Sequence, residues 1–274
     1  MINFVVEAVN LNLCEILGRV CVLNKDNGRE FTNTARLDFI AEFLKDSNYI
    51  KINSTGLFHL YASRNLNKSE PVIIVSSHID CEEEMTKCFY RHERENMLLG
   101  TFDNAITNAS ALYVMKNCVL PDNVIFAFTG DEESDMQGVY SLKKYLVREK
   151  IHVERVIVLD VTDMGWDRSA DFTIENDFQS EEFGRRLIDS AMTSNYEWFY
   201  VPYDIMNIPG YIKPSRIIRE SSEEDESWYY SKFNIECFSL CIPVFGDMHS
   251  NEGVYARKNS FENYTGMLER VLMI

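Results

Sequence analysis

Two adjacent carboxylates, Glu132 and Glu133, closely follow an apolar run that ends at Phe128, and they carry the strongest chemical signal in the sequence. A buried strand that opens into solvent at its carboxyl end is where α/β enzymes place their chemistry. Side chains alternate along an extended segment, so the two carboxylates should point in different directions and take different roles. One would bind a metal ion and the other would move protons. An acidic turn after a strand is also typical of a solvated loop, so the motif needs support from the rest of the chain.

Three other strand-like runs also end in groups that bind hard or borderline cations. These groups are His78-x-Asp80, Asp160 and His249. A further carboxylate, Asp103, lies just before a helical pattern. Imidazole nitrogens and carboxylate oxygens, without an obvious set of thiolates, suit Zn²⁺ best, with Mn²⁺ or Co²⁺ as lesser candidates.

The spacing of apolar residues predicts the elements that would bring these groups together. The predicted strands span 51–53, 57–62, 72–80, 123–128, 153–161 and 237–244. The predicted helices span 34–44, with Asn33 or Thr34 as N-cap, and 108–118, 139–150, 181–192 and 261–273. The stretches 82–96 and 195–226 have the composition of loops, the second with short strands as an alternative. Near-continuous apolar strands alternating with amphipathic helices predict an α/β fold, with a mainly parallel central sheet flanked by helices on both faces.

Length and composition indicate an ordinary globular protein of one or two domains, and the lack of a linker between the predicted elements favours one. The 274 residues can bury a large core, since 46% of them are hydrophobic and 26% charged. No basic cluster offsets the net charge of −16, which disfavours a nucleic-acid partner. No apolar run reaches the roughly 18 residues of a membrane span, so we expect no membrane partner. Residues 1–7 lack the basic start that is typical of a signal peptide.

The cysteines bear on the compartment. Their number is seven and no Cys-x-x-Cys pair occurs, which argues against a disulfide framework and for a reducing environment. We therefore expect a cytoplasmic protein. Cys81 directly follows His78-x-Asp80, and it either packs as a small hydrophobe or lies near a metal ion.

Taken in order, these motifs resemble those of the co-catalytic di-zinc exopeptidases, the superfamily of zinc aminopeptidases that includes the bacterial leucyl aminopeptidases and the tetrahedral aminopeptidases. That superfamily has a His-x-Asp, an Asp before a helix of small residues, a Glu-Glu pair, a strand-end Asp or Glu, and a late His. This chain supplies them as His78-x-Asp80, Asp103, Glu132-Glu133, Asp160 and His249. The triplets 160–162 and 248–250 look most like the tetrahedral branch, and the resemblance covers about residues 30 to 273.

The resemblance implies a role for each motif. Asp103 would bridge two divalent ions, zinc or else Mn²⁺ or Co²⁺, with His78 and Asp160 completing one site. Glu133 and His249 would complete the other. Glu132 would be the general base, and Asp80 would hold the His78 ring by hydrogen bonding to its other nitrogen.

The resemblance also implies a zinc-exopeptidase-like (phosphorylase/hydrolase-like) fold and a metal-dependent hydrolase, an aminopeptidase that cleaves N-terminal residues from short peptides. Alternatives within the same metal core are a deacylase or carboxypeptidase acting on small N-acyl amino acids or dipeptides, and a glutaminyl-cyclase-like enzyme with one zinc. The non-enzyme alternative is a degenerate binding module.

Two positions depart from the pattern of the family. The tetrahedral enzymes insert a large domain between the His and the bridging Asp, whereas His78 and Asp103 are 25 positions apart (103 − 78). We therefore expect one catalytic domain over residues 1–274, without an inserted lid or dimerisation domain. Asn104 stands where an Asp often follows the bridging residue.

Four further features are candidates for contact with the substrate, and two of them also have a structural interpretation. Trp166 would wall the substrate pocket or serve as a packing residue. The acidic run 223–226 would bind a substrate ammonium group or form a solvated loop. Tyr255 and Arg257 would contact the scissile carbonyl or a substrate carboxylate.

Overall fold

The computed structural model describes residues 11–23, 34–82 and 85–274. Its strands are β1 (Tyr49–Ser54), β2 (Phe58–Ser63), β3 (Val72–His78), β4 (Tyr90–Arg94), β5 (Met97–Gly100), β6 (Val124–Thr129), β7 (Val153–Thr162), β8 (Phe172–Phe178), β9 (Trp198–Val201), β10 (Glu236–Phe245) and β11 (Val254–Arg257). Its helices are α1 (Leu13–Val20), α2 (Thr34–Leu44), α3 (Ala105–Asn117), α4 (Gln137–Arg148), α5 (Glu181–Met192), α6 (Glu226–Lys232) and α7 (Lys258–Val271), with a 3₁₀ turn at Pro214–Arg216.

The strands join into one large sheet with a parallel centre. β6, β3, β7 and β10 are parallel neighbours in that order, so their carboxyl ends lie at the same edge. β2 and β1 extend the sheet antiparallel beyond β6, while β11, β5 and β4 extend it antiparallel beyond β10. β8 pairs antiparallel with β10 and parallel with β9. The predicted parallel sheet is thus confirmed at the centre, and both flanks are antiparallel.

Helices cover both faces of the sheet, as the continuous apolar strands predicted. In β6, Phe126 and Phe128 belong to the larger core, beneath α1, α3 and α7, whereas Ile125 and Ala127 belong to the core beneath α4. Successive side chains of a strand point to opposite faces, which explains why every residue of β6 is buried.

Several element boundaries agree with the sequence and others were missed. α2 and α5 have the predicted bounds, while the Asn33 prediction lies outside the described residues. The loop predicted over 82–96 was wrong, because β4 lies within it and pairs antiparallel with β5. β4 is almost entirely polar and exposed, so it lacks the alternation that predicts a strand. α1, β8, β11 and α6 were also not predicted.

None of the helices in the described ranges is both long and apolar enough to cross a membrane.

Candidate metal centre

The predicted site residues lie together at the carboxyl edge of the parallel strands. His78 ends β3, Glu132 and Glu133 follow β6, and Asp160 lies near the end of β7. The remaining two come from connections. These are Asp103, between β5 and α3, and His249, in the turn after β10.

His78 lies at the centre of three carboxylates. Its Nε2 atom is 3.0 Å from Asp103 Oδ1, 3.7 Å from Asp160 Oδ1 and 3.9 Å from Glu132 Oε2. The ring is 2% exposed, so these groups face one another with almost no intervening solvent. One imidazole nitrogen and two or three carboxylate oxygens in this arrangement resemble the donor set of a divalent cation.

His249 forms a second group of the same kind. Its Nε2 atom lies 3.4 Å from Asp103 Oδ2 and 3.3 Å from Glu133 Oε2. Asp103 therefore directs one carboxylate oxygen to each histidine. Glu82 also belongs to this group, since ligand atoms of Glu82, Glu133 and His249 lie within 4.8 Å of one another. The resemblance did not predict Glu82, whose only sequence signal is its position at the start of an acidic stretch.

Asp80 contacts both groups, through the His78 ring in one and the backbone of Glu133 in the other. Its Oδ1 atom is 3.3 Å from His78 Nδ1, although the two groups lack the alignment of a full hydrogen bond. Its other oxygen accepts a hydrogen bond of 3.3 Å from the backbone N–H of Glu133. The same carboxylate thus fixes the back of the His78 ring and the backbone that carries Glu133, a connection that the sequence did not reveal.

The turn that carries Asp103 is tied to the sheet by Asn104. Asn104 is fully buried, and its Nδ2 atom donates a hydrogen bond of 2.7 Å to the carbonyl of Leu159, next to Asp160. The peptide bond between Asp103 and Asn104 is cis. A carboxylate could not donate to this carbonyl, so the amide at position 104 suits its surroundings in this chain.

The turn that carries the two glutamates is held by close backbone contact. Gly138, in the first turn of α4, donates its N–H to the carbonyl of Gly130, before the glutamates. A Cβ atom on Gly138 would lie 2.3 Å from that oxygen, so glycine is needed here. Asp131 has a positive φ of 63°, and its Oδ2 atom accepts a hydrogen bond from the N–H of Gln137. This folds the chain back and leaves Glu132 and Glu133 facing the two histidines.

Burial and charge shift the pKa values of these groups in opposite directions. Burial, together with neighbouring carboxylates, raises the pKa values of Glu132 and Glu133 well above their usual range. Burial opposes ionisation of Asp103, but His249 and His78 hold its pKa well below its usual range. Burial lowers the pKa of His78, yet the carboxylates around it, Glu132 foremost, raise it well above its usual value.

The donor set fits one or two divalent cations. Asp103 Oδ1 and Glu133 Oε1 are buried oxygens without a hydrogen-bond partner among the described residues. Buried polar atoms normally have partners, and several carboxylates this close repel one another unless a cation lies between them. His78, Asp103 and Asp160 would form one group of ligands, and Asp103, Glu133 and His249 the other.

A cavity of about 290 Å³ opens over these groups and has an acidic wall. Besides the candidate ligands and Glu132, its lining contains the carboxylates of Asp163, Glu175, Glu223, Glu224 and Asp225. No lysine or arginine is among the cavity-lining residues that the structure describes. Glu175 lies in β8, is 4% exposed, and has its pKa raised to about 8, chiefly by burial.

The acidic run 223–226 divides into two parts. Glu223 and Glu224 are exposed, as a solvated loop predicts. Asp225 and Glu226 are buried, so the loop interpretation was wrong for them. Asp225 caps α6 by accepting a hydrogen bond from the N–H of Ser227, and Glu226 accepts one from Ser76 in β3.

The weaker candidates lie away from the cavity lining. Trp166 stacks on Phe245 with ring centroids 5.7 Å apart, which is the packing interpretation. Arg257 lies over the Trp166 ring and donates a hydrogen bond to its carbonyl. Neither they nor Tyr255 are among the lining residues. Cys81 is 2% exposed, with its sulfur 3.8 Å from the carbonyl of Asp103.

Solved structures with the same fold include several aminopeptidases. The TET aminopeptidase from the marine sediment archaeon Thaumarchaeota archaeon SCGC AB-539-E09 superposes with a TM-score of 0.71 at 8% identity, over 95% of this chain and 96% of that chain. The Pyrococcus horikoshii TET1 peptidase, which can assemble into a tetrahedron or a large octahedral shell, gives 0.68 at 12% identity, over 94% and 98%. The Legionella pneumophila LapA aminopeptidase gives 0.63 at 11% identity, over 96% and 69%.

At such identities the likeness establishes the fold, and it confirms the fold that the resemblance predicted. No protein-family model matches this chain, and no curated protein matches its sequence.

Proposed function

We propose that this chain is a metal-dependent hydrolase, specifically a di-zinc aminopeptidase that releases N-terminal residues from short peptides. One observation carries the proposal. The two oxygens of Asp103 face two histidines that come from different parts of the chain, His78 and His249. A shared carboxylate between two nitrogen donors is an arrangement that suits a pair of neighbouring cations. The fold shared with solved aminopeptidases supports the same conclusion.

The metal ions would be held by the chain's own carboxylates and imidazoles. His78 and Asp160 would complete one site, Glu133 and His249 the other, and Asp103 would belong to both. When bound, two divalent ions supply Lewis-acid chemistry, which polarises a carbonyl and lowers the pKa of water.

Glu132 would move the proton during hydrolysis. Its side chain is 12% exposed and lines the cavity, with Oε2 directed towards the His78 group. It would take a proton from the attacking water and give it to the leaving amine, the two roles of a general base that becomes a general acid. Asp80 would act as a positioning residue, because it contacts both the His78 ring and the backbone of Glu133.

The acidic wall favours an aminopeptidase over a carboxypeptidase or a deacylase of N-acyl amino acids. A substrate with a free carboxylate next to the cleaved bond needs a cationic partner, and none of the described lining residues is a lysine or arginine. The N-terminal ammonium of a peptide carries the opposite charge. Exposed carboxylates of the lining such as Glu223 and Glu224 would attract it and repel the alternative substrates.

Metal content and substrate choice test the proposal. The purified chain, incubated with excess Zn²⁺ and desalted, should carry two ions and release the first residue of dipeptides but not of their N-acetylated forms. A chelator should abolish the release, and added metal should restore it. Asp103→Ala should lose both ions, because Asp103 contacts both histidines, whereas Glu262→Ala on the exposed surface of α7 should keep them.

The alternatives give different results. One ion per chain would favour the cyclase, and no ion under excess Zn²⁺ would favour the binding module. Release of N-acyl groups in preference to N-terminal residues would favour the deacylase. Each of these results would contradict the proposed aminopeptidase.

We further propose that residues 1–274 act as one catalytic domain in the cytoplasm. The described part of the segment between His78 and Asp103 holds only the β4–β5 hairpin, which is too small for an inserted lid. All seven cysteines lie in the described ranges and none is paired in a disulfide, which suits a reducing compartment. Limited proteolysis that yields a separately stable fragment from 82–102 would contradict the single domain, and cell fractionation tests the location.

A further inference from the structure

Three cysteines that the proposed mechanism does not use lie close together near the turn that follows His78. Cys21 follows α1, Cys81 follows the His78-x-Asp80 turn, and Cys88 precedes β4. Cys21 and Cys88 are 67 positions apart in sequence, yet their sulfurs are 3.5 Å apart. A disulfide bond is about 2.05 Å long, so these sulfurs need to approach by only about 1.5 Å to form one.

The surroundings of Cys88 favour its thiolate. Arg36, in α2, is fully buried, and its Nη2 atom lies 3.8 Å from the Cys88 sulfur. The guanidinium is fixed there by hydrogen bonds of 2.8 Å to the carbonyls of Val20 and Ile79. Thr101 accepts a hydrogen bond from the N–H of Phe89, which leaves its hydroxyl hydrogen free to point at the Cys88 sulfur, 2.9 Å away.

We propose that Cys88 and Cys21 form a site of reversible oxidation, at which hydrogen peroxide converts the two thiols into a disulfide. Cys88 is the nucleophile, because it is the partly exposed member and has a cation and a hydroxyl donor beside it. Cys21 is the resolving thiol, since it is 5% exposed and in contact with Cys88. Cys81, although near Arg36, is turned towards the carbonyl of Asp103.

The protonation of the cysteines agrees with this assignment. Contact with Cys21, together with Arg36 and Thr101 and against the effect of burial, lowers the pKa of Cys88 to about 6. Burial raises the pKa of Cys21 well above its usual value and that of Cys118, a partly buried cysteine elsewhere, to about 12. Cys21 therefore stays protonated while Cys88 reacts with peroxide, and its proton is lost only with the oxygen in the second step.

The chemistry balances with peroxide as the two-electron oxidant. The Cys88 thiolate attacks one peroxide oxygen, the O–O bond breaks, and hydroxide leaves and takes a proton to become water, giving a sulfenic acid on Cys88. The Cys21 sulfur then attacks the Cys88 sulfur, the S–O bond breaks, and the oxygen leaves as water with the Cys21 proton. Both thiols are oxidised and one peroxide is reduced to two waters. A dithiol reductant reverses the product to the two thiols.

Peptide mapping of the intact chain tests the site. Reduced, desalted wild-type protein is treated with one equivalent of hydrogen peroxide, alkylated and digested without reductant. The expected result is a peptide that links Cys21 to Cys88 and disappears with dithiothreitol. In Cys21→Ser, Cys88 should stop at the sulfenic acid and be trapped by a 1,3-diketone, whereas the matched control Cys118→Ser should form the disulfide as the wild type does.

A second measurement needs no variant and is unaffected if a substitution impairs folding. In unoxidised wild type at pH 7, iodoacetamide should alkylate Cys88 at least about tenfold faster than Cys118, because only the thiolate reacts. Three results would overturn the proposal. The first is that other cysteines become linked as fast as Cys21 and Cys88, and the second is that no Cys21–Cys88 peptide forms at all. The third is that iodoacetamide alkylates Cys88 no faster than Cys118. None of these readouts depends on hydrolase activity.

Discussion

The adjacent glutamates offer the sharpest test of the proposed chemistry, because two nearly identical substitutions should fail in different ways. Glu133 Oε2 lies 3.3 Å from His249 Nε2, and its other oxygen has no hydrogen-bond partner among the described residues. Glu132 lies 3.9 Å from His78 Nε2, the longest of the contacts around that ring. We therefore expect Glu133 to bind metal and Glu132 to remain available for protons.

The size of each effect follows from these roles. Glu132→Gln keeps the shape of the side chain but cannot accept a proton, so kcat should fall by about 10² to 10⁴. That corresponds to about 2.7 to 5.4 kcal/mol of transition-state stabilisation, at about 1.36 kcal/mol per tenfold change. Glu133→Gln removes a charged ligand, so the affinity for one of the two ions should fall by at least about tenfold. Loss of a residue that only hydrogen-bonds to a metal ligand already lowers metal affinity by about tenfold or more.

The thermal stability of Glu132→Gln should also be equal to or above that of the wild type. Burial raises the pKa of Glu132 well above its usual range, which means that its charged form is unfavourable in the folded, metal-free chain. A neutral amide of the same shape avoids that cost. Glu132→Gln thus separates lost catalysis from lost folding.

Three assays together decide between the roles. Elemental analysis gives ions per chain, steady-state kinetics gives kcat and KM, and a zinc titration shows whether activity recovers at high metal concentration. Glu132→Gln should retain two ions and an unchanged KM, with no recovery at high zinc. Glu133→Gln should lose one ion first, and its activity should recover in part at high zinc concentration. The opposite pattern would exchange the two assignments, and full activity in both variants would refute the hydrolase itself.

Two further predictions concern the turn and the cavity wall. Gly138→Ala should lower the free energy of unfolding by about 1 to 3 kcal/mol and weaken activity, because its Cβ would meet the Gly130 carbonyl at 2.3 Å. Gly210→Ala, where a Cβ meets nothing within 4 Å, should change the unfolding midpoint in urea little, and equal midpoints for the two variants would contradict the close contact. In wild-type protein freed of metal by a chelator, Glu175 is protonated in the folded state but ionised in the unfolded state between about pH 4.3 and its folded pKa of about 8. The free energy of unfolding should therefore fall as pH rises through this window, by at most about 1.4 kcal/mol per pH unit. Glu175→Gln should lack that loss, and parallel stability profiles of variant and wild type from pH 5 to 8 would show that Glu175 does not titrate in this way.

The sequence predicted the parallel centre of the sheet because its strands are continuously apolar and bounded by polar strand ends. The same rule explains why His78, Glu132, Glu133 and Asp160 were correctly expected at one edge of the sheet. Their number and order made the motif specific, although each alone is common.

The flanks and the cavity wall could not be predicted, since their causes are contacts between distant segments. β8 carries Glu175 and neighbouring polar residues in a buried strand, so it lacks apolar continuity, and its short alternation ends at Glu175. A run of charges in the sequence indicates solvent exposure. Glu226 is buried nonetheless, because Ser76, which is 150 positions away, supplies its hydrogen bond. β4 is a strand through its pairing with β5 and not through its composition.

The placement of the two histidines also has a consequence for how the chain folds. His78 ends β3 and His249 follows β10, 171 positions later (249 − 78), and β7 lies between those two strands in the sheet. Neither the first half of the chain nor any single hairpin can therefore assemble the shared site around Asp103. The ion held by His249 would bind only after β10 has joined β7, so its binding energy would oppose the separation of those two strands. The ion at His249 would thus bind late in sheet assembly, and the rate at which unfolding protein releases that ion would report the separation of β10 from β7.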